Sequence, residues 1–545
     1  MHFGMGYRIS ASALLLAGGS AAAAQDAPVP ASAPVDSASA EGAQRQIDIF
    51  NYRIDGNTVL SRMDVEKAVL PFLGPKRSPA DVESARAALV KAYRDKGYET
   101  VDVEIPEQDV RGGVVRLTVV ELRVGRLRVT DAKYTSPGVV KAKAPSIAEG
   151  IVPNYTAIYR DIAGLNKSAD RTITPALRAG ETPGTVDIDL QVEDKLPLHA
   201  SIEVNDRTSS RTERLRASAS VSYANLFQRD HSLSLQGQFT PQDPKQSWVV
   251  SGSYVAPIGG TPFTLVAYGV HSDSDVAAIG GIGVLGKGDI VGLRGIYNFS
   301  GNDHLFHTLT LGIDYKSFTE DLILGADTAA TPISYVPLTL QYALARRGAK
   351  SDLDISVGLN LGIRGLDADE EEFRRKRYAA SASWSSIRAD LSYLYRFPHD
   401  IRVGVKFGAQ YTRQPLISNE QFSAGGLDSV RGYYESQALG DSGYFSQLDV
   451  EAPSLHKWFG KSVQEFRFFS FIDSARLWIR DPLADINGKV DDGATLASAG
   501  LGLRVRALDR INASLLLSAP LADEETALVD LGDHLRGQFR IWAEF

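Results

Sequence analysis

From Leu198 onward, apolar and polar residues alternate with a period of two along segments of the chain. The two clearest segments have apolar residues at Leu215, Ala217, Ala219, Val221 and Tyr223, and at Leu233, Leu235, Gly237 and Phe239. The residues between them are serine, glutamine and arginine. A strand of ~10 residues with one apolar and one small polar face is typical of a transmembrane β-barrel with a wet lumen. Soluble β-sandwiches also alternate, but with more charged polar faces and shorter strands, so the pattern favours the barrel.

The C-terminal part of the chain is long enough for a large barrel. Residues 196–545 allow about sixteen strands, at ~20–22 residues for each strand with its connection. In the last of these strands, Phe539, Ile541, Ala543 and Phe545 share one face. The predicted fold class is therefore mainly β, with a C-terminal transmembrane barrel.

Residues 46–124 show a different, mixed pattern. Ser78 is a good helix N-cap, with Pro79 at the first helical position and Gly97 just past the end. The order β-α-α-β-β is predicted, with a strand from residue 47, helices over 61–70 and 79–96, and strands over 100–105 and 114–122. This order predicts a small sheet with helices on one face.

Residues 125–195 repeat that order more weakly. The pattern predicts a strand over 127–130, helical stretches over 146–150 and 155–166, and strands over 172–177 and 185–192. The chain is therefore predicted to carry two small α+β domains in front of the barrel.

The first 24 residues have the features of a secretory signal peptide. Arg8 gives a positive start, Ala11 to Gly18 are apolar, and Ala21 to Ala24 offer a small-residue cleavage site. The apolar run is far shorter than the ~20 residues that a spanning helix needs, and no later segment has such a run. Residues 25–45 are rich in Ala, Pro, Ser and Asp, which predicts a flexible leader. An exported chain of this kind enters a membrane as a barrel.

Composition excludes several classes of function. The net charge of −8 argues against nucleic acid as a partner. The chain has no cysteine, which excludes disulfides and thiolate metal sites. It also lacks H-E-x-x-H and G-x-S-x-G motifs, so we expect no enzyme, no metal and no cofactor.

Two isolated charges stand out near the C-terminus. Arg431 lies in a glycine-rich segment within Val430-Arg431-Gly432-Tyr433, and Asp473 lies in the apolar strand segment Phe471-Ile472-Asp473. Such charges are costly to bury unless they meet. A guanidinium and a carboxylate can form two parallel hydrogen bonds, which would fix a loop in place and in register.

These motifs resemble those of the hemolysin secretion/activation family (ShlB/FhaC/HecB type), the TpsB transporters of two-partner secretion. Val430 to Tyr433 resemble the VRGY/F motif of the family's sixth extracellular loop, and Phe471 to Asp473 resemble its F-x-D/G strand motif. Residues 56–58, 71–74 and 96–98 (Gly-Asn-Thr, Pro-Phe-Leu-Gly and Lys-Gly-Tyr) resemble those of POTRA domains, periplasmic modules that bind polypeptides.

The resemblance implies an outer-membrane protein with two periplasmic POTRA domains, at 46–124 and 125–195, and a sixteen-stranded barrel at 196–545. It implies that the loop folds back into the barrel and that Arg431 contacts Asp473 on the inner wall. It also implies export, without ATP, of one large exoprotein client (TpsA-like) by a monomer that needs no nucleic acid. The C-terminal residues resemble an outer-membrane signature read by the barrel assembly machinery: Phe539, Ile541 and Phe545.

Two other segments have simpler interpretations. Gly281 to Gly286, followed by Lys287, fit G-x-G-x-x-G, but the next residue is Gly288 and no strand-turn-helix context surrounds them. We expect a mobile barrel loop there. The charged run from Asp367 to Arg377 predicts a solvated surface loop rather than a metal or partner site.

Two alternative functions remain at this point. An insertase of the same superfamily would integrate outer-membrane proteins, but such relatives usually carry three or five POTRA domains. A passive porin has no use for periplasmic modules. Some family members also plug the pore with an N-terminal helix. In this chain Ala31 to Ala43 contain Pro34 and almost no apolar periodicity, so a plug helix is not expected there.

Overall fold

The computed structural model describes residues 46–545 except 211, 275, 280–281, 303, 320, 325–326, 485–487, 489, 491 and 523–534. The predicted signal peptide and leader, including Ala31 to Ala43, lie outside the described residues. The described chain forms two compact units, which divide between Leu196 and Pro197. Within the described residues, no helix has the length and apolarity that crossing a membrane requires.

The first module of the N-terminal unit is a three-stranded sheet covered by two helices. Its elements are β1 (Ile47–Ile49), β2 (Asn51–Asp55), α1 (Arg62–Val69), β3 (Gly74–Arg77), α2 (Pro79–Asp95), β4 (Val101–Glu104) and β5 (Val114–Glu121). The sheet order is β2-β5-β4, and the short strand β3, which was not predicted, pairs with β1. Both predicted helices and the later strands agree with the structure to within two residues.

Helix α2 forms where the capping signals predict it. Ser78 accepts a hydrogen bond from the Asp81 backbone, and the Asp81 carboxylate accepts one from the Ser78 backbone, which completes a capping box. The backbone and side-chain hydrogen bonds from Ser78 lower the pKa of Asp81. Val82, Ala85 and Leu89 are buried against the sheet, so the helix is held by its apolar stripe as well as by its cap.

The second module contains β6 (Arg123–Thr130), α3 (Pro137–Ala142), α4 (Tyr155–Leu165), β7 (Arg171–Ala179) and β8 (Thr185–Asp194). Its sheet order is β6-β8-β7. The helical stretch predicted over 146–150 is wrong, because only a 3-10 turn at Pro145–Ile147 forms there. The helix lies earlier, at α3, where Pro137 starts it and Val140 is buried in the module's core.

The two modules are joined by direct hydrogen bonds within their unit. The Tyr155 backbone donates to the Gly97 carbonyl at 2.8 Å, and the Asn154 side chain donates to the Lys96 carbonyl at 2.8 Å. These contacts connect the C-terminal end of α2 to the N-terminus of α4.

The C-terminal unit is a closed barrel of sixteen strands. They are β9 (Leu198–Asn205), β10 (Arg216–Leu226), β11 (His231–Phe239), β12 (Trp248–Pro257), β13 (Phe263–Asp273), β14 (Gly288–Asn298), β15 (Leu305–Phe318), β16 (Ile333–Tyr335 and Pro337–Arg347), β17 (Ser351–Gly362), β18 (Trp384–Arg396), β19 (Arg402–Thr412), β20 (Ser442–Glu451), β21 (Val463–Trp478), β22 (Gly493–Ala507), β23 (Ile511–Pro520) and β24 (Arg536–Glu544). Neighbouring strands are antiparallel, and β24 closes the barrel by pairing with β9.

The alternating pattern maps onto the two faces of the wall. Leu311 and Leu501 are 64% and 66% exposed on the outside, where a bilayer would cover them. On the inside, the hydroxyls of Ser201 and Ser220 lie 2.7 Å apart across β9 and β10. The predicted mainly β fold with a C-terminal sixteen-stranded barrel is confirmed.

Connections between the barrel strands alternate between short turns and long loops. The short turns lie at the rim where the chain enters β9. Two of the long loops matter for the site, and we name them loop 5 (residues 363–383) and loop 6 (residues 413–441). Loop 5 contains a fifth helix, α5 (Glu370–Lys376), and loop 6 contains a small hairpin of Phe422–Ala424 and Ala438–Gly440.

Candidate functional site

Loop 6 folds back into the barrel. Val430 and Tyr433 are buried together with inward-facing wall residues of β21 and β22, among them Leu477 and Leu496. The same cluster includes Phe422 of the hairpin. Because Ile472 and Leu501 on the alternate face of these strands are exposed, the buried set lies on the inner side of the wall.

The Arg431 guanidinium meets Asp473 on strand β21. Its Nε and Nη2 atoms donate to the two carboxylate oxygens at 2.7 and 2.6 Å, and the Arg431 backbone donates at 3.0 Å. Nη2 also donates to Asp449 on the neighbouring strand β20 at 2.6 Å. Arg431 is 4% exposed and Asp473 is 1% exposed, so the pair is desolvated. One arginine therefore attaches the loop to two adjacent strands.

An aromatic platform supports the guanidinium. The Arg431 Cζ lies 3.8 Å from the centre of the Phe471 ring, an arrangement that adds cation–π attraction. Phe471 and Asp473 face the same way because they are two residues apart in a strand. The ring has room because the neighbouring wall residue is Gly500, where a Cβ would lie 2.5 Å from the Phe471 Cζ. This geometry gives the F-x-D spacing a physical reason.

Gly432 and Tyr433 fix the turn that follows. Gly432 has a φ of +95°, and a Cβ there would lie 2.9 Å from the Ser518 Cβ, so the position favours glycine on two grounds. Its backbone donates to the Gln538 side chain on β24 at 2.9 Å. The Tyr433 hydroxyl lies 3.0 Å from the Ala497 carbonyl oxygen. The turn thus contacts β22, β23 and β24.

The far side of the loop tip is also paired. Glu435 accepts a hydrogen bond from Arg207, just after β9, at 3.0 Å, and its backbone donates to the Thr208 carbonyl at 2.9 Å. Arg207 also pairs with Asp428. The segment Val430 to Tyr433 is therefore held by the strands β20 to β24 on one side and by Arg207 and Thr208 on the other.

Sequence reasoning missed several of these partners. Asp449, Gln538 and Arg207 carry no motif, and each is an ordinary polar residue on a lumen-facing or loop position. The buried pair Arg294–Asp314 was missed as well, with Nη1 to Oδ1 at 2.6 Å and Nη2 to Oδ2 at 2.7 Å. Only the pairing of strands β14 and β15 brings these two residues together.

The C-terminal residues predicted as an assembly signature lie on the other face of the wall. Ile541 and Phe545 are exposed on the outside, with Phe539 on the same face of β24. They do not contact loop 6. Two other members of this strand contact the loop: the Gln538 side chain accepts a hydrogen bond from the Gly432 backbone, and the Arg536 Cζ lies 3.8 Å from the centre of the Tyr434 ring.

The interpretation of residues 367–377 as a solvated surface loop is wrong. Residues Glu370–Lys376 form helix α5, and Phe373 is buried in a cluster of inward-facing wall residues. The glycine-rich segment at 281–286 includes Gly281, which lies outside the described residues. A short hairpin of Val276–Ile279 and Ile282–Leu285 spans it, and strand β14 follows rather than a helix. Among the described residues, no group of three His, Asp or Glu side chains could hold a metal ion.

A sixteen-stranded barrel with an N-terminal pair of small α+β modules and a loop folded inside is the architecture of POTRA-type barrel proteins of the outer membrane. The chain belongs to the family of the haemolysin secretion/activation protein ShlB/FhaC/HecB, whose profile matches residues 184–505. The profile of the POTRA domain, ShlB-type, matches residues 47–121. The protein is therefore a two-partner secretion transporter of the outer membrane, with its POTRA region in the periplasm.

Curated relatives agree with this assignment. The chain is 22% identical over 479 residues to the outer membrane transporter CdiB of Dickeya dadantii (strain 3937), which covers 83% of this chain and 79% of the relative. It is 23% identical over 476 residues to CdiB-2 of Burkholderia pseudomallei (strain 1026b), which covers 83% and 76%. The family is one of transporters rather than enzymes.

Solved structures share the fold. CdiB from Escherichia coli superposes with a TM-score of 0.63 at 18% identity, covering 94% of this chain and 93% of that one. BamA from Haemophilus ducreyi lacking POTRA domains 1–3 superposes with a TM-score of 0.55 at 16% identity, covering 92% and 100%. At these identities the likeness concerns the fold alone.

Proposed function

We propose that this transporter recognises an unfolded exoprotein with its periplasmic POTRA domains and exports it through the barrel without ATP. Family membership implies an exoprotein partner. The contact between Arg431 and Asp473 carries the proposal, because a buried ion pair that fixes the tip of a loop inside the barrel gives a plug a defined point of release.

The periplasmic unit supports the recognition step. In the part of the chain that the structure describes, β2 and β4 are the edge strands of the first sheet, each with one sheet neighbour. The edges of the second sheet are partly occupied, because Val124 on β6 bonds to Gly150 and Ile151, and Ile173 on β7 bonds to the Asn166 side chain. An extended segment of the exoprotein can add to a free edge through main-chain hydrogen bonds, which give affinity without demanding much sequence. The contacts between Tyr155 and Gly97 hold the two modules together as one arm while this happens.

The barrel supports the transport step. A barrel of this strand number encloses a channel wide enough for water. In this protein loop 6 lies inside that channel. The lumen is lined by replaceable polar contacts such as those of Ser201 and Ser220. Folding of the exoprotein outside the cell, where strands stack into a solenoid, would supply the direction. In this scheme Val430 to Tyr433 form the loop latch, with Phe471 and Asp473 as its partners on the wall.

The proposal also covers the surroundings of the barrel and its oligomeric state. Outer-membrane lipid would cover the apolar outside of the barrel, and the barrel assembly machinery would read Phe539, Ile541 and Phe545 during insertion. The transporter would act as a monomer. An insertase of the same superfamily remains the second candidate function, because the combination of POTRA domains and a barrel does not by itself distinguish the two.

Deletion of the gene in the native host distinguishes the two candidates. Mass spectrometry would compare proteins in the medium and at the cell surface between the wild type and the deletion. The proposal predicts the loss of one large protein, restored by the wild-type gene and not by Arg431→Ala. A broad loss of many outer-membrane barrels would instead establish an insertase and contradict the proposal.

A further inference from the structure

Helix α5 of loop 5 lies inside the barrel. Phe373 is 1% exposed, and its ring meets the Tyr335 ring edge-on with the centroids 5.5 Å apart. The same buried cluster includes Ile290 on β14, Phe318 on β15 and Trp384 on β18. A seven-residue helix whose sequence is six charged residues and one phenylalanine is thus attached to the inner wall through that phenylalanine.

The C-terminal end of α5 is tied to loop 6 by a buried ion pair. Arg377 pairs bidentately with Asp441, a fully buried residue at the end of loop 6, with Nη2 to Oδ2 at 2.7 Å. Arg377 also donates to the carbonyls of Leu416 in loop 6 and Arg480 after β21. Asp441 in turn accepts from the backbones of Leu416 at 2.8 Å and Arg480 at 2.6 Å. One arginine–aspartate pair therefore joins three loops.

The beginning of loop 6 is anchored to the same side of the wall. Glu420 accepts a hydrogen bond from the Tyr335 hydroxyl at 2.7 Å and pairs with Lys316 of β15. Leu416 and Ile417 of loop 6 are buried in the cluster that contains Phe373. Loop 5 and the stem of loop 6 therefore pack as one body against β13 to β16 and β18.

We propose that loop 5 is a second internal plug segment, and that Arg377 is the residue that positions it against loop 6. The tip of loop 6 contacts β20 to β24, whereas loop 5 with the loop 6 stem contacts the opposite side of the lumen. Loop 6 spans the lumen through its tip and its stem, and loop 5 adds its own packing on the stem side. Closure of the pore then needs both ion pairs, Arg431–Asp473 at the tip and Arg377–Asp441 at the stem. This inference concerns closure of the pore and does not depend on which polypeptide is exported.

The inference is tested by the ion conductance of the purified protein in planar lipid bilayers bathed in KCl solution. Arg377→Ala is expected to raise the open probability by ~tenfold or more, because loss of a buried pair exceeds the free energy of a tenfold change. Arg375→Ala is the matched control, since Arg375 lies on the same helix with an exposed side chain, and this change is expected to leave the conductance unaltered. A thiol at Val430→Cys reports on the loop 6 tip and should keep its slow reaction with maleimide in the Arg377→Ala protein.

A second variant removes both charges together. The natural chain has no cysteine, so Arg377→Cys with Asp441→Cys places two unique thiols at the pair. This variant should conduct more than the parent, a short reversible bis-thiol reagent should close it, and reductant should open it again. Equal conductance of the parent, Arg377→Ala and the two-cysteine variant in all states would overturn the inference. The result is separable from the proposed export, because conductance is measured without an exoprotein.

Discussion

Replacement of Arg431 by alanine is expected to release the tip of loop 6. The change removes three side-chain hydrogen bonds, the two to Asp473 and the one to Asp449, and leaves the backbone donor of residue 431 in place. It also strands the Asp473 carboxylate, which is 1% exposed. Breaking a buried pair from one side costs ~3–5 kcal/mol, which corresponds to a shift of roughly 150-fold to roughly 5,000-fold in the closed-to-open ratio.

The reactivity of a single buried thiol measures that ratio. Val430 is fully buried beside Arg431, and cysteine behaves as a small apolar residue there. In a Val430→Cys background, maleimide reacts only when the tip opens, so the rate reports the open fraction. Arg431→Ala should raise the rate of maleimide labelling. The increase should not exceed the shift in the closed-to-open ratio calculated above, because Gly432 and Glu435 still hold the tip. Arg431→Lys should fall between, since a lysine cannot bond bidentately.

Two controls make the result decisive. Arg476→Ala removes an arginine from the outward face of the same strand β21, where it contacts Thr495, and should leave the rate unchanged. The double variant Arg431→Ala with Asp473→Ala should cost less than the sum of the single variants, because no stranded charge remains. A rate for Arg431→Ala within about twofold of the parent, or strict additivity of the two changes, would refute the reasoning.

Three further substitutions test the turn after Arg431, the cap of helix α2 and the end of strand β24. Gly432→Ala should speed thiol labelling at the tip by ~tenfold, because a φ of +95° and contact with Ser518 cost ~1–2 kcal/mol; Ser518→Gly should restore part of the loss. Ser78→Ala should speed amide hydrogen exchange in α2 by about fivefold, for a lost cap of ~1 kcal/mol. The pKa of Asp81 in the folded protein is lowered from its ordinary value of 3.8. The contribution of its carboxylate to the cap is therefore present above pH 3.8 and is lost as the pH falls through the folded pKa. The effect of Ser78→Ala on exchange should shrink in that acidic range. Phe545→Ala, which keeps the two backbone hydrogen bonds to Ala200 and removes only the exposed ring, should lower the amount of assembled protein in the outer membrane while purified folded barrels keep the heat stability of the parent.

The barrel was predictable because its signal is repeated. A period of two is imposed on every strand by the pleat, so segments such as Leu215 to Tyr223 show it without any knowledge of their neighbours. Helix α2 was predictable for a similar reason, since Ser78, Pro79 and Gly97 each act locally. The short strand β3 and helix α3 were missed, because each depends on tertiary pairing or on one buried residue.

The loop 5 helix shows where local rules stop. A run of six charged residues around Phe373 has the composition of a solvated surface, and its burial depends on wall residues far apart in sequence, such as Tyr335 and Trp384. The contact of Arg431 with Asp473 was expected from the resemblance of two motifs, whereas Asp449 became visible only when β20 and β21 were paired. Such contacts depend on the pairing register of strands that are distant in sequence, and no local sequence pattern contains that information.

Purified components give the most direct test of the central claim, export of a polypeptide without ATP. The transporter would be reconstituted in liposomes with its POTRA domains outside, and the unfolded protein missing from the deletion strain's medium would be added without nucleotide. The account predicts that this protein becomes protected from external protease, and that Arg431→Ala reduces the protected fraction. An exoprotein that stays fully digestible, or that enters only when nucleotide is supplied, would contradict the account.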